Sequence, residues 1–373
     1  MKRTCFKYET FFLLMILAMS CKEPYAPPAV TIDYNFLVVE GIISSGQPTR
    51  IQLSRTKRLT DTVLFVPETS ASVYILSERG DIFPLQHISN GLYQSASLNL
   101  NPADRYRINI TTIGKQYMSA FESLKETPPI DSLTWEQDRD LFISVNTHDP
   151  ANSTWYYRWE YEETWEYWSW FDSNLGYMNG QLYYRDSADL LNKCWTTLRS
   201  TEVLLGTSTK LSQDRIDKKV VAVVPNETDK IGVRYSILVK QSALTQKAFE
   251  YWETLRKNSS DLGNIFGVQP SQLIGNIKCI TNPEEPVIGY VTASSVKEQR
   301  IFIQRAQVLN WIVPTQLPYC IEKKIPLDSA FYALQDTTLA PAYYITGGGL
   351  AIAKNSCVDC RRKGGSTQKP AFW

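Results

Sequence analysis

The chain has 373 residues, 43% of them hydrophobic and 21% charged, a composition that fits globular domains and excludes a disordered or collagen-like chain. Its 39 Lys and Arg against 38 Asp and Glu leave a net charge of +1, which argues against nucleic-acid binding, because that function needs a concentrated basic surface. The aromatic content, with 10 Trp and 21 Tyr, favours a β-rich fold.

Residues 1–20 have the pattern of a secretory signal peptide. A positive segment precedes a continuous apolar run at residues 11–18, which is too short to cross a bilayer core of about 20 helical residues. The run ends in Leu-Ala-Met-Ser-Cys, which resembles a bacterial lipobox. The resemblance implies cleavage after Ser20 and lipidation of Cys21. An ordinary secretory signal with a coincidental cysteine is the alternative.

Residues 21–34 are expected to form a lipidated tether. Pro24, Pro27 and Pro28 favour an extended polyproline conformation that holds the following domain away from the membrane. Lys22 stands where lipoproteins retained at the inner membrane commonly carry Asp. We therefore expect a lipid anchor in the outer membrane, on the cell surface or on the periplasmic face.

Residues 35–125 read as about seven short strands separated by turns. Apolar and polar residues alternate at residues 50–55 and 106–111, and Asn90-Gly91 is a hairpin signal between two such runs. This rhythm predicts an independent β-sandwich of immunoglobulin or transthyretin type. The proline-marked segment at residues 126–131 is the predicted boundary.

Residues 126–373 are predicted to form a larger, fibronectin-like β-sandwich with a helical insertion near residues 242–258. Ser242 is a suitable cap for that helix, since an apolar stripe of helical period follows it. The predicted fold class is therefore mainly β, with two sandwich domains.

Aromatic residues alternate through one segment of the second domain. Trp155, Tyr157, Trp159 and Tyr161 share one face of a strand and are expected to lie in the core. Four more aromatics follow where that strand should end, so they are the predicted surface platform for sugars or protein partners. These are Trp165, Tyr167, Trp168 and Trp170. The pairs at residues 183–184 and 343–344 are weaker candidates.

Five cysteines remain beyond the signal and the lipidation site, namely Cys194, Cys279, Cys320, Cys357 and Cys360. An odd number leaves at least one thiol outside intrachain disulfides, which are expected in an oxidising compartment. Cys357 and Cys360 form a CxxC motif. A structural disulfide is favoured over a zinc site or a redox centre, because no second ligand pair and no thioredoxin-like pattern accompany the motif. We expect Cys357 or Cys360 to form a disulfide with Cys320 or Cys194. We also expect the tail that ends in Phe372 and Trp373 to pack against the second domain. Closure of the motif on itself is the alternative.

Catalytic motifs are missing from the sequence. It contains no GxSxG nucleophile elbow and no GxxxxGK[ST] phosphate loop. The only histidines, His87 and His148, are far apart, which disfavours zinc hydrolases and Ser-His-Asp catalysis. Glu160 and Glu162 fit a solvated strand face. We therefore expect no enzymatic activity, no metal and no cofactor.

The C-terminal sequence CVDCRRKGGSTQKPAFW resembles the end of a bacterial lipoprotein family called domain of unknown function 4249. Further pieces resemble the family in the same order; they are residues 39–42, 129–133, 156–159, 275–277 and 288–290. The resemblance implies an outer-membrane lipoprotein of bacteria with SusC/SusD-like uptake, whose gene neighbours encode TonB-dependent receptors. It supplies no catalytic residues.

Two functions follow as expectations, and an enzyme is the less favoured third alternative. The first is an accessory or substrate-capturing partner of a TonB-dependent β-barrel receptor. The second is a structural or adhesive surface lipoprotein without a transported ligand. The sequence does not separate them, and it does not identify the ligand.

Overall fold

The computed structural model describes residues 35–57, 65–260, 273–314 and 320–373. Within these residues the chain forms 23 strands and two α-helices, which confirms the mainly β fold class. The predicted signal peptide, the tether and Cys21 lie outside the described residues. Neither described helix has the length and apolar character needed to cross a bilayer.

Strands β1 to β9 form the N-terminal part of the molecule. Their bounds are β1 Leu37–Ser45, β2 Pro48–Arg55, β3 Val66–Pro67, β4 Ser72–Ser77, β5 Ile82–Ser89, β6 Leu92–Ser97, β7 Arg105–Thr112, β8 Lys115–Ser119 and β9 Glu122–Ser123. Alternation along β2 and β4 buries Ile51, Leu53, Val73 and Ile75 on one face. Asn90 and Gly91 join β5 to β6, both with the positive φ that a tight hairpin turn requires.

Residues 35–125 do not form a sandwich on their own, contrary to the expectation. Strand β19 (Ile277–Cys279) pairs with β8, and the start of β20 (Thr292–Gln304) runs parallel to the end of β1. Val291 and Ala293 also enter the aliphatic core of this region. Pairing between segments so distant in the chain leaves no local sequence pattern, so the rhythm of the first 125 residues could not reveal it. We call β1–β9, β19 and residues 287–295 the N-terminal unit.

The chain returns to the N-terminal unit at a close backbone crossing. The N–H of Val39 donates to the carbonyl of Ile288 at 2.8 Å, and the N–H of Ile288 donates to the carbonyl of Leu37 at 2.9 Å. Gly289 has φ +146°, and a Cβ there would overlap the carbonyl oxygen of Val39. A Cβ on Gly275 would overlap Gly289 in turn. Three of the short motifs that carry the family resemblance therefore meet at this crossing.

The C-terminal sandwich consists of two facing sheets. Its further strands are β10 Ile130–Gln137, β11 Leu141–His148, β12 Tyr156–Trp168, β15 Lys193–Arg199, β16 Leu204–Thr207, β17 Arg215–Val224 and β18 Arg234–Ala243. One face is the part β15-β12-β18-β20 of a long sheet, with β16 also on β12, and this sheet continues from β20 into β1 of the N-terminal unit. The other face is a separate sheet of order β10-β11-β17. Tyr157 and Trp159 are fully buried between them, and Trp159 Nε1 donates to Gln241 Oε1 at 2.8 Å.

Helix α1 (Gln246–Ser260) begins later than expected. Ser242 still belongs to β18, where it pairs with Val296, so it cannot cap the helix. Thr245 has that place, since its Oγ1 accepts from the N–H of Ala248 at 3.3 Å. The predicted apolar stripe packs Ala248 and its helical neighbours against β16 and Tyr290.

Residues 169–192 and 320–373 form a region that we call the C-terminal cap. Its elements are the hairpin β13 Leu175–Met178 with β14 Gln181–Tyr184, the strands β21 Lys323–Pro326, β22 Leu339–Ile345 and β23 Gly349–Lys354, and helix α2 Leu327–Ala333. Strand β23 lies between β21 and β22. Two small apolar clusters hold these elements together.

Both cysteines of the CxxC motif bridge away from the motif. Cys360 is bonded to Cys194 on β15, across 166 residues, and Cys357 is bonded to Cys320, across 37 residues. Cys279 is a free thiol buried in the N-terminal unit.

The end of the chain lies across the outer face of the β12-β18-β20 sheet. Trp373 Nε1 donates to Glu166 Oε2 at 3.2 Å, and its ring packs edge-on against Phe302. The ring of Phe372 lies over the guanidinium of Arg300, but the side chain stays 39% exposed. The expected docking of the tail is therefore a surface contact rather than full burial of both aromatics.

Candidate functional site

Two of the four predicted platform aromatics are in the core. Trp165 is 7% exposed and Tyr167 is 4% exposed. Strand β12 does not end before them, because residues up to Trp168 pair with β15 on one side and residues up to Glu166 pair with β18 on the other. The inward alternation therefore continues. These two residues are corrected from surface candidates to core residues.

The other two platform residues are exposed but lie in different surroundings. Trp168 is 55% exposed at the end of β12, where its Nε1 donates to Glu166 Oε1 at 3.1 Å and Lys193 lies over its ring. Trp170 is 48% exposed and lines a cleft in the cap. Strand β12 ends at Trp168, the chain bends at Trp170, and only Trp170 lines the cleft, so the two indoles do not form one platform.

The cleft gathers aromatic rings from three separate parts of the chain. Trp170 and Phe171 follow β12, Tyr184 ends β14, and Tyr343 and Tyr344 belong to β22. The ring centroids of Tyr184 and Tyr344 are 5.9 Å apart, and those of Phe171 and Tyr343 are 6.3 Å apart. We call these five residues and the volume of ≈ 420 Å³ that they line the aromatic cleft. Such a volume is within the range of about 300–1,000 Å³ for small-molecule sites.

Polar groups at the aromatic cleft come from Asp172 and Asn174. Asp172 Oδ1 accepts from Asn192 Nδ2 at 3.2 Å, and its carboxylate is otherwise open to solvent. The hydroxyl of Tyr343 donates to Glu322, and this hydrogen bond is the main reason that the pKa of Tyr343 is raised. Among the described residues that line the cleft, none is Lys, Arg or His. The electrostatic character of the cleft is therefore neutral to acidic.

The Cys320–Cys357 disulfide lies directly behind the cleft. Phe171 and Ala342 pack in the cluster that contains both cysteines, and the N–H of Phe171 donates to the carbonyl of Cys357 at 2.9 Å. The β13–β14 hairpin is fixed by Arg185, whose backbone N–H donates to the carbonyl of Asn174 at 2.8 Å. The rings are thus presented by a cross-linked scaffold rather than by a free loop.

Sequence reasoning found part of this site and missed part of it. Trp170 and the pairs at residues 183–184 and 343–344 were candidates on aromatic composition alone. Asp172 and Asn174 were not predicted, although they follow the Trp-Ser-Trp-Phe run directly in the chain. A polar residue next to an aromatic run was the available signal.

Shifted pKa values also occur at buried groups away from the cleft. Burial raises the pKa of the Glu122 carboxyl, which accepts from Asn276 and Tyr290 near the backbone crossing. Burial and a hydrogen bond to Asp214 raise the pKa of Tyr157 inside the sandwich. In the part of the chain that the structure describes, no group of three or more His, Cys, Asp or Glu is placed to hold a metal ion.

Comparisons with known proteins agree with the resemblance found in the sequence. A family model described as "Domain of unknown function (DUF4249)" matches residues 22–300, a span that ends before residues 320–373 of the cap. No curated protein matches the chain. Among solved structures, a segment of two fibronectin type III domains from chicken tenascin matches with 12% identity and a TM-score of 0.17, over 56% of this chain and 90% of that chain.

Proposed function

The chain belongs to the DUF4249 family, and from that premise we propose that it is an outer-membrane lipoprotein that captures substrate for a TonB-dependent transporter. The single observation that carries the binding role is the aromatic cleft, where half-exposed rings converge on a disulfide-linked scaffold. Aromatic rings grouped on one exposed surface are typical of binding sites, whereas single exposed apolar side chains are common on protein surfaces.

The membrane anchor of the proposal rests on the sequence at Cys21. A lipobox-like end of the signal supports acylation of this cysteine, and several acyl chains hold a protein firmly, because each buried CH₂ contributes about 0.8 kcal/mol. Labelled palmitate should enter the wild-type chain and not the Cys21→Ala variant. Equal labelling of both proteins would contradict the anchor.

The family resemblance supports a TonB-dependent transporter as the partner. A protein that captures substrate at the outer membrane also needs a transporter to which it passes that substrate. The test is affinity purification of the acylated full-length chain from outer membranes of its native host. A β-barrel receptor that co-purifies in stoichiometric amounts is the expected result. The Trp170→Ala/Tyr344→Ala double variant should retain the receptor, since the cleft is assigned to substrate and not to the receptor.

A structural or adhesive role is the other outcome of this experiment. Purification of the acylated chain without any β-barrel receptor would contradict the transporter partnership and favour that role. The proposal includes no enzymatic activity, because no Ser, Cys, Lys or His is among the described residues that line the cleft. The hydrogen bond from Tyr343 to Glu322 raises the pKa of the phenol, which does not favour a phenolate nucleophile.

A further inference from the structure

We infer that the ligand of the aromatic cleft is a neutral oligosaccharide. This inference rests on the proposed capture function and names its substrate class. It depends on the arrangement of the rings, on the polar groups beside them and on the missing positive charge.

The rings are exposed in the way that stacking on a sugar requires. Trp170 is 48% exposed, Tyr184 is 72% exposed and Tyr344 is 42% exposed, so each presents ring surface to solvent. The C–H face of a pyranose is apolar and covers an aromatic ring, while the hydroxyls around its edge stay hydrated. Such a ligand therefore needs no deep enclosure. Rings from separate strands, 5.9 Å apart in the Tyr184–Tyr344 pair, offer stacking surfaces to more than one sugar unit.

The polar groups beside the rings match sugar hydroxyls. The carboxylate of Asp172 accepts hydrogen bonds, and the amide of Asn174 both donates and accepts. Both residues are exposed at the cleft. Carboxylate and amide side chains next to a stacking ring can bind vicinal hydroxyls in pairs, which gives orientation as well as affinity.

The charge of the cleft decides between neutral and acidic sugars. No described lining residue is cationic, and Asp172 would repel a carboxylate or sulfate group on the ligand. The nearby guanidinium of Arg185 does not line the cleft, and its Nη1 donates to the backbone carbonyls of Ser173 and Leu175. Uronates and sulfated glycans are therefore disfavoured.

A protein partner fits the cleft less well. Protein anchors gain their affinity in central pockets that exclude water. The aromatic cleft is shallow by comparison, because four of its five aromatic side chains keep from about two-fifths to nearly three-quarters of their surface in solvent. A carbohydrate tolerates that hydration, whereas a protein hot spot loses affinity with it.

The test uses the purified, acylated full-length chain in a detergent without a sugar headgroup. Isothermal titration and saturation-transfer NMR should detect binding of at least one of maltoheptaose, cellohexaose, xylohexaose and chitohexaose at micromolar to millimolar concentrations. Hexagalacturonate, an acidic oligosaccharide, should bind at least tenfold more weakly than the best neutral probe.

Variants locate the binding in the cleft. Trp170→Ala and Tyr344→Ala should each weaken it about tenfold, the effect of losing one stacking ring. Trp168→Ala is the matched control, since this indole is equally exposed but lies outside the cleft, and its affinity should be unchanged. Circular dichroism of each variant would establish that the fold is intact.

Two results would overturn the inference. One is that none of the four neutral probes binds at millimolar concentration. The other is that binding survives in Trp170→Ala and Tyr344→Ala. Because these measurements use the isolated chain, their failure is separate from loss of the transporter partner, which co-purification measures. A receptor that co-purifies with a chain that binds no probe would leave the partnership standing and refute the sugar.

Discussion

The N-terminal unit and the C-terminal cap are stabilised in different ways. The N-terminal unit buries a large aliphatic core that includes Leu37, Ile51 and Ile75, and it has no disulfide among its described residues. The cap has two small clusters, and one of them consists of three alanines, one valine and the Cys320–Cys357 disulfide. Since alanine buries little apolar area, hydrophobic burial alone stabilises the cap less than it stabilises the N-terminal unit.

The cap groups its exposed aromatics on one surface, whereas the N-terminal unit does not. In the N-terminal unit, Tyr93 and Tyr117 are fully buried, while Phe65 and several aliphatic side chains such as Ile113 are exposed. In the cap, covalent cross-links supply part of the stabilisation, and several exposed aromatic rings line one cleft. The molecule thus combines a packed unit with a cross-linked unit that presents the candidate site.

The largest predicted effect is loss of the long-range disulfide. Replacing Cys194 and Cys360 by Ser should lower the free energy of unfolding by about 3–5 kcal/mol, because the bond closes a loop of 166 residues. Hydrogen exchange should show the loss in the cap and β15, with protection in β2 and β4 unchanged. The matched control is Cys279→Ala, which removes a buried thiol without a disulfide and should cost at most about 1 kcal/mol. An equal loss of protection in the cap and in the N-terminal unit would contradict the claim that this disulfide stabilises the cap specifically.

A substitution at the backbone crossing should affect the N-terminal unit instead. Gly289→Ala is expected to cost roughly 2–4 kcal/mol, because the new Cβ overlaps the carbonyl of Val39 and φ is positive. Gly46→Ala provides the control. Gly46 also has positive φ, but a Cβ there meets nothing within 4 Å, so only about 1 kcal/mol of backbone strain is expected. Urea unfolding of the two variants measures the difference, and similar costs would argue against a tight crossing.

Acid should loosen the cap through Asp359. Burial raises the pKa of this carboxyl, but hydrogen bonds from the side chain and backbone of Arg361 outweigh it, and the folded pKa lies below the usual 3.8. Because the unfolded state binds the proton more readily, the stabilisation is present above about pH 4 and is lost as the pH falls through the folded value. Hydrogen exchange in the cap should therefore accelerate at low pH. The Asp359→Asn variant should be less stable at pH 7, and its hydrogen exchange in the cap should not accelerate at low pH. The same acceleration in this variant would mean that another carboxylate causes it.

The smallest predicted effect on stability is at the cleft itself. Trp170→Ala should change the free energy of unfolding by no more than about 0.5 kcal/mol, because the indole is half exposed. Trp165→Ala, five residues earlier, should cost about 3–5 kcal/mol, since that indole is buried in the sandwich. Thermal unfolding of the pair compares a site residue with a core residue. A large loss in Trp170→Ala would mean that the ring serves stability.

Local pattern predicted the parts of the fold that depend on near neighbours. Alternation placed Tyr157 and Trp159 in the core, and Asn90-Gly91 marked the turn between β5 and β6. It failed at Trp165 and Tyr167, because the length of β12 depends on strands β15 and β18, which follow much later in the chain.

The division into domains and the aromatic cleft depend on contacts between distant segments. The pattern of the first 125 residues does not predict the pairing of β1 with β20, because nothing in the sequence of either strand identifies its partner. The cleft contains aromatic rings near residues 170, 184 and 344, and the composition of these segments does not predict that they lie close together in the fold. Cysteine count indicated that cross-links were present, but their pairing follows from the fold.

Oxidative footprinting of the purified full-length chain with and without the four neutral oligosaccharides tests the central claim most directly, because it measures each cleft residue separately. Hydroxyl radicals would be applied to both samples, and labelling of Trp170, Tyr184 and Tyr344 would be measured by mass spectrometry relative to Trp168 and to the exposed Ile113 of the N-terminal unit. The account predicts that at least one oligosaccharide at millimolar concentration protects the three cleft residues relative to these two references. Unchanged relative labelling of the three cleft residues with every oligosaccharide would contradict it.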